Sequence, residues 1–65
     1  MKLLFNGDAI EVSEDAVLQA VVDAQGAKKP FAVAVNGQFV PSSMLGGYVL
    51  NNGDSIDVLS PIQGG

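Results

Sequence analysis

The chain has 65 residues and a formal net charge of −4, from seven acidic residues and three lysines. A domain of this length buries only about 60 % of the surface that its unfolded chain exposes, so its core is small. Because cysteine, histidine and tryptophan are absent, a disulfide framework, a thiolate metal site and most catalytic constellations are excluded. The acidic balance argues against nucleic acid and against an anionic membrane as partners, and it favours a basic protein surface.

The opening residues do not have the pattern of a targeting segment. The apolar run in residues 1–5 stops at Asn6-Gly7-Asp8, short of the about 7–15 apolar residues in the core of a signal peptide. No stretch approaches the roughly 20 apolar residues that span a membrane. We therefore expect a cytoplasmic protein.

A hairpin is predicted at the start of the chain. In residues 2–6, Leu3 and Phe5 share one face, and the other face has polar ends. Asn6-Gly7 is a strong signal for a type I′ turn, since both central residues of that turn need a positive φ. Residues 9–12 then alternate again and are predicted to form the return strand.

A helix of about ten to twelve residues is predicted next. Ser13 is a suitable N-cap, and Glu14 and Asp15 place negative charge in the first turn, where the helix dipole favours it. The apolar residues that recur at helical spacing are Val17, Leu18 and Val21. Gly26 suits the C′ position, so we expect the helix to end there.

Two further strands are predicted around a second Asn-Gly turn. Residues 31–35 alternate large apolar side chains with alanine, which favours a central strand whose large side chains face the helix. Asn36-Gly37 turns the chain into a short strand at residues 38–40. Pro41 ends that strand because proline cannot donate a ladder hydrogen bond.

The last strand follows an irregular crossover. Residues 42–50 show no clear period, and we expect one helical turn held by apolar side chains. The predicted anchors are Met44, Leu45, Tyr48 and Leu50. Residues 51–54 have the composition of a turn, and residues 55–60 alternate again with Ile56 and Val58 inward.

The order strand, strand, helix, strand, strand, loop, strand predicts an α+β domain of the β-grasp, ubiquitin-like kind. We expect a mixed sheet of about four to five strands with one covering helix. A right-handed connection through the helix would place the first and last strands side by side and parallel at the centre of the sheet. The predicted division is a β-grasp domain at residues 1–60 and a flexible C-terminal Gly-Gly tail at residues 61–65.

The tail Pro61-Ile62-Gln63-Gly64-Gly65 has the properties of a substrate. Proline ends a strand, and a paired glycine terminus is narrow enough for a partner to close around its backbone. Five extended residues reach about 16–18 Å, which is enough to carry a terminal carboxylate into another protein's active site. A carboxylate becomes a good electrophile only when it is activated, for example as a mixed anhydride with AMP.

Three segments carry a resemblance to a known family. They are Val35-Asn36-Gly37, the Val40-Pro41 step, and the run from the Gly53-Asp54 turn through the proline-initiated tail to Gly65. At these spacings the chain closely resembles the small sulfur carriers of thiamin thiazole biosynthesis, the ThiS family. The small subunit of molybdopterin synthase is similar but longer.

The resemblance implies a role as a protein co-substrate and not as an enzyme. In the family, a ThiF-type enzyme uses ATP and magnesium, both held by that enzyme, to adenylate the terminal carboxylate, here that of Gly65. Sulfur from a persulfide protein then gives a thiocarboxylate, and thiazole synthase consumes that sulfur. The residues expected to thread into the partner are Pro61, Ile62, Gln63 and Gly64, and no catalytic residue, metal ligand or bound cofactor is implied.

A partner-binding surface is predicted from the alternation of the first and last strands. Leu4 and Leu59 both fall on the polar side of their strands. If the two strands are neighbours, both leucines lie together on the open face of the sheet, with Asp57 and Glu11 as an acidic rim. We therefore predict that Leu4, Leu59 and Asp57 contact the adenylating enzyme.

The chain departs from the family pattern after the Val40-Pro41 step. Ser42 stands where many relatives have a basic residue, and Gly46-Gly47 falls where they have a short helix. Three alternatives remain open at this level. The chain could serve another thiocarboxylate pathway such as that of molybdopterin, act as a ubiquitin-like modifier of lysine amines, or be a β-grasp interaction module without tail chemistry.

Overall fold

The computed structural model of the chain describes residues 1–27 and 31–59. Within these residues, five short strands, one α-helix and one 3₁₀ helix follow the predicted order. They are β1 (Lys2–Phe5), β2 (Asp8–Glu11), α1 (Leu18–Ala24), β3 (Ala32–Val35), β4 (Gln38–Val40), the 3₁₀ helix (Ser42–Gly47) and β5 (Ser55–Leu59).

The five strands form one mixed sheet in the order β2-β1-β5-β3-β4. β1 pairs parallel with β5 and antiparallel with β2, so the first and last strands are neighbours as predicted. β3 pairs antiparallel with both β4 and β5. β3 is therefore an interior strand, next to the short edge strand β4. The middle position of the five strands is occupied by β5. The strand that leads into the tail is therefore the centre of the sheet.

Both predicted Asn-Gly turns are present. Asn6 and Gly7 have φ values of 49° and 89°, and Asn36 and Gly37 have 52° and 84°. Positive φ at both central residues is the conformation of the type I′ turn, whose twist matches that of the flanking strands. The two hairpins β1–β2 and β3–β4 are thus set by local sequence.

The core lies between one face of the sheet and α1. Ten apolar side chains are almost fully buried in the described part of the chain: Leu3, Leu18, Val21, Val22, Val33, Val35, Val40, Leu45, Leu50 and Ile56. Burial of such a side chain contributes about 1.5–3 kcal/mol relative to leaving it exposed. No polar or charged residue is buried among the described residues, so the core is held by packing.

The helix is shorter at its start than the sequence predicts. It spans Leu18–Ala24, and the prediction that Ser13 caps it with Glu14 and Asp15 in its first turn is wrong. The Ser13 carbonyl accepts from the N–H of Ala16 at 3.1 Å, which closes a turn ahead of the helix. The Glu14 carboxylate lies 3.2 Å from the backbone nitrogen of Met1.

The late start has a tertiary cause. Val17 is extended, with φ −101° and ψ 163°, and it forms an antiparallel bridge with Val49 of the crossover. The N–H of Leu18, which a helix leaves without an internal partner, donates to the Tyr48 carbonyl at 3.1 Å. Because Val17 is held in this bridge, the helix begins only at the next residue.

The end of the helix matches the prediction. Gly26 has a φ of +79°, and its N–H donates to the Asp23 carbonyl at 3.0 Å. The N–H of Ala27 donates to the Val22 carbonyl at 3.2 Å. This pair of bonds with a left-handed residue at C′ is a Schellman motif.

The crossover is more regular than predicted. Residues Ser42–Gly47 form a 3₁₀ helix despite Gly46-Gly47. Leu45 is buried against the core as expected, but Met44 is 56 % exposed, so its predicted role as an anchor is wrong. In a 3₁₀ helix with about three residues per turn, consecutive side chains point in directions about 120° apart, so Met44 points away from the core when Leu45 points into it.

Candidate functional site

The C-terminal end of β5 extends past β1. The parallel pairing of these two strands ends at Phe5 and Ile56. On the other side β3 continues the ladder, with Val58 paired to Val33 and Leu59 to Ala32. The last three described residues of β5, which are Asp57, Val58 and Leu59, therefore pair with a strand on one side only.

The Asn6 side chain occupies the position that β1 leaves open. The backbone N–H of Asn6 donates to the Ile56 carbonyl at 2.8 Å. The N–H of Val58 then donates to Oδ1 of Asn6, also at 2.8 Å. The side-chain oxygen of Asn6 thus accepts the bond that the backbone carbonyl of Asn6 would accept if the parallel ladder continued.

Asn36 holds the opposite end of β5 in the same way. Its backbone N–H donates to the Ser55 carbonyl at 2.8 Å, and its Oδ1 accepts from the N–H of Ser55 at 2.9 Å. Its Nδ2 donates to Oδ1 of Asp54 at 2.9 Å, and Oδ2 of Asp54 accepts from the N–H of Asn51 at 2.8 Å. The sequence predicted both asparagines as turn residues and missed that their side chains bind β5.

The tail itself lies outside the described residues. This applies to Gly65, predicted as the site of covalent attachment, and to the threading residues, which are Pro61, Ile62, Gln63 and Gly64. The predicted boundary between residues 60 and 61 also falls there. These roles stay predictions, and the last residue that the structure describes before them is Leu59, at the end of β5.

Leu4 and Leu59 are on the open face, but they are not neighbours. Leu4 is 41 % exposed and Leu59 is 70 % exposed, in agreement with the predicted alternation. In the register of β1 and β5, however, Leu4 pairs with Ser55. Leu59 lies four residues beyond Ser55, or roughly 13 Å along the strand. The expectation that the two leucines form one patch is therefore wrong.

Leu59 has a different set of neighbours on the open face. It pairs with Ala32 of β3, and in the adjacent row Asp57 pairs with Ala34, which in turn pairs with Phe39 of β4. Phe39 is 68 % exposed. We call this group, Leu59, Ala32, Ala34 and Phe39 with Asp57 among them, the Leu59 patch. Sequence reasoning missed Phe39, although Val40 pointing inward required its neighbour to point outward.

Glu11 does not border the Leu59 patch. It pairs with Lys2 in the β1–β2 hairpin, two residues before Leu4 on β1. That position lies at the end of the sheet away from Leu59, so the predicted rim role of Glu11 is wrong. Asp57 is the carboxylate that lies within the patch, and it is exposed.

Beyond the Leu59 patch, the described residues include a shallow groove but no cluster of metal ligands. Across residues 1–27 and 31–59, no three His, Cys, Asp or Glu side chains lie close enough together to hold a metal ion. No helix in the same ranges is long and apolar enough to cross a membrane. A shallow groove of about 190 Å³ beside α1 has no titratable side chain in its lining, which is Val12, Ser13, Ala16, Ala20, Val21 and Ala24.

Comparison with known proteins gives a family and a fold. A crystal structure of the thiamine biosynthesis protein (ThiS) from Geobacter metallireducens matches with a TM-score of 0.83 at 22 % identity, covering 100 % of both chains. A solution structure of a thiamine biosynthesis protein from the same organism matches with a TM-score of 0.81 at 20 % identity, covering 100 % of this chain and 88 % of that one. These likenesses establish the β-grasp fold.

No curated protein matches the chain significantly. The model of the ThiS family matches residues 3–65, which include all of the sheet except Lys2, the helix and the Gly-Gly end. The chain therefore belongs to the ThiS family.

Proposed function

We propose that the chain is a sulfur carrier whose Gly65 carboxylate is adenylated and then converted to a thiocarboxylate that supplies sulfur for thiamin thiazole synthesis. The observation that carries this proposal is the family match, which runs through Gly64 and Gly65 and not only over the folded domain. The similarity to ThiS thiamine biosynthesis proteins over the entire chain supports it. The setting proposed for this chemistry is the cytoplasm.

The chemistry has three steps: activation of the carboxylate, substitution at its carbonyl carbon by sulfur, and release of the thiocarboxylate. A carboxylate oxygen of Gly65 attacks the α-phosphorus of ATP, pyrophosphate leaves, and an acyl-adenylate forms. The terminal sulfur of a protein persulfide attacks the carbonyl carbon, and AMP leaves. A thiol then attacks the inner sulfur of the resulting acyl disulfide, so that a new disulfide forms and the thiocarboxylate is released.

The carrier contributes the reacting C-terminus and the folded domain that presents it, and the partner enzymes contribute the catalysis. ATP and magnesium belong to a ThiF-type adenylating enzyme, which makes this chain its protein co-substrate. A persulfide protein is the sulfur donor, and thiazole synthase is the acceptor. The lack of cysteine in the chain fits this scheme, because the thiocarboxylate itself stores the sulfur.

The Leu59 patch is the surface we assign to the adenylating enzyme. Leu59 and Phe39 are both largely exposed, and the small side chains of Ala32 and Ala34 on β3 lie between their strands. Aromatic residues such as Phe are enriched in protein interfaces, and burial of an exposed leucine contributes about 1.5–3 kcal/mol. Asp57 and the net charge of −4 call for a partner that offers an apolar surface with a basic side chain facing Asp57.

The position of the patch suits delivery of the tail. Leu59 immediately precedes Ser60, and we call this point, where the tail begins, the root of the tail. A partner bound to the patch therefore lies next to the root of the tail. Residues 61–65, once extended, reach about 16–18 Å from that root. An active site at this distance from the docking surface would receive the carboxylate as an intramolecular reactant, which raises its effective concentration.

Loading in a reconstituted system tests the proposal. The wild-type carrier is incubated with a ThiF-type enzyme, ATP, magnesium and a persulfide donor, and its intact mass is measured. We expect one oxygen to be replaced by one sulfur. Deletion of Gly65 should abolish this change, whereas Asp23→Asn, on the exposed side of α1 and outside the tail and the Leu59 patch, should retain it.

Other outcomes identify the alternatives. An unchanged mass of the wild-type protein would reject the carrier role and leave an interaction module. A bond between Gly65 and a lysine amine would identify a modifier. Thiocarboxylate that forms but is not consumed by thiazole synthase would place the chain in another sulfur pathway.

A further inference from the structure

We propose that Asn6 is a positioning residue for the tail, because its side chain fixes the end of β5 from which the tail leaves. The proposal rests on the proposed function. Its basis is the bond from the N–H of Val58 to Oδ1 of Asn6 at 2.8 Å. Val58 is two residues before Ser60, so this is the last described contact that β5 makes on its β1 side.

The turn alone does not require this side chain. Glycine adopts the φ of 49° seen at Asn6 at no steric cost, and Gly-Gly is also favoured in type I′ turns. What glycine cannot supply is the acceptor for Val58. The pairing of β1 with β5 ends at Phe5 and Ile56, so Asn6→Gly removes the one bond from the Val58 N–H that the structure describes.

Asn36 provides an internal comparison. It makes the same kind of contact with β5 through the N–H of Ser55, at 2.9 Å, and it lies in the same kind of turn. Ser55 is at the start of β5, at the other end from the tail. Loss of either side chain removes a bond to β5, but only loss of the Asn6 side chain loosens the end that carries the tail.

The expected consequence is a loss of orientation. When the Val58 bond is absent, the end of β5 keeps its pairing with β3 and the packing of Val58 against the core, but it loses its bond on the β1 side, so we expect the direction in which the tail leaves to be less restricted. Docking through the Leu59 patch does not use this bond, so KM for the carrier should change little. The fraction of bound carriers with the carboxylate aligned on ATP should fall, which lowers kcat.

Three variants test the role of Asn6. Asn6→Gly keeps the turn and removes the acceptor, Asn6→Asp restores an oxygen acceptor, and Asn36→Gly is the matched control. For each folded variant, nuclear magnetic resonance measures amide hydrogen exchange at Val58. Pyrophosphate release measures the kcat and KM of adenylation.

We expect Asn6→Gly to speed exchange at Val58 and to lower kcat about two- to tenfold with KM nearly unchanged, the range that one hydrogen bond supports. Asn6→Asp should recover most of the kcat. Asn36→Gly should leave kcat and the exchange at Val58 unchanged.

The outcomes separate this inference from the proposed function. If the wild-type carrier is adenylated and Asn6→Gly keeps its kcat, or if Asn36→Gly lowers kcat equally, only the positioning role is wrong. Unchanged exchange at Val58 in Asn6→Gly also overturns it. If the wild-type carrier is not adenylated at all, the proposed function fails, and the positioning role fails with it.

Discussion

The two faces of the sheet use the same strands for different purposes. On the face covered by α1, side chains such as Leu3, Val33 and Ile56 are almost fully buried. On the open face, Leu59 and Phe39 are largely exposed although they are just as apolar. Because side chains alternate along a strand, a residue that stabilises the fold stands next to one that is free to bind a partner. Stability and recognition can therefore be altered separately in this domain.

The largest effect is expected on the covered face. Ile56 is fully buried in the central strand, so Ile56→Ala leaves a cavity in a small core. We expect the free energy of unfolding to fall by about 2–5 kcal/mol, measured by chemical denaturation. Asp57→Ala, one residue along β5 and on the open face, is the matched control and should change the stability by less than about 0.5 kcal/mol. Equal losses in the two variants would contradict the separation of the faces.

On the open face, we expect a substitution at Leu59 to lower the affinity for the partner and to leave the stability of the fold nearly unchanged. Leu59→Ala should weaken binding to the adenylating enzyme about tenfold or more, since burial of a leucine contributes about 1.5–3 kcal/mol. Its free energy of unfolding should be nearly unchanged, because the side chain is already exposed. Titration calorimetry and denaturation on the same sample measure both quantities.

A control variant separates the patch from apolar surface in general. Val49 is also largely exposed, but it lies in the crossover and not on the sheet. Val49→Ala should leave the affinity unchanged. Unchanged affinity in Leu59→Ala would remove Leu59 from the interface, and a large loss of stability would mean that its side chain packs in solution.

The local features of both faces could be predicted from the sequence. The two Asn-Gly turns, the alternation of each strand and the Gly26 helix end depend on residues close together in the chain, and the structure confirms them. The start of the helix could not be predicted in the same way. Val17 fits the helical pattern, but its bridge to the distant Val49 overrides that local preference.

The candidate site also depends on contacts between residues that are distant in the chain, and local sequence does not predict such contacts. Alternation predicts which face a residue occupies, but it does not give the register between strands that are far apart in the chain. The sequence therefore placed Leu4 and Leu59 on the correct face and failed to show their separation along the sheet. The bond between Asn6 and Val58 depends on the same register, so it too became visible only in the structure.

A smaller effect is expected from the charge within the Leu59 patch. Asp57→Asn keeps the shape of the side chain and removes its charge, so association with a basic partner should slow. An exposed ion pair contributes about 0.2–1 kcal/mol, which corresponds to a change of about 1.4- to 5-fold. Association rates measured at low and high salt should differ less in the variant than in the wild type. Asp23→Asn, on α1 at the opposite side of the sheet, should keep the wild-type salt dependence.

The smallest effect is expected at Leu4, and it decides how far the binding surface extends over the open face. Leu4 shares that face with Leu59 but pairs with Ser55, at the other end of β5. A partner that binds at the root of the tail does not need to reach it. Leu4→Ala should therefore change the affinity for the adenylating enzyme by less than about twofold and the free energy of unfolding by about 0.5 kcal/mol or less, as is usual for exposed positions. If Leu4→Ala weakens binding as much as Leu59→Ala, the interface covers β1 as well as β5, β3 and β4, and the whole open face is the docking surface.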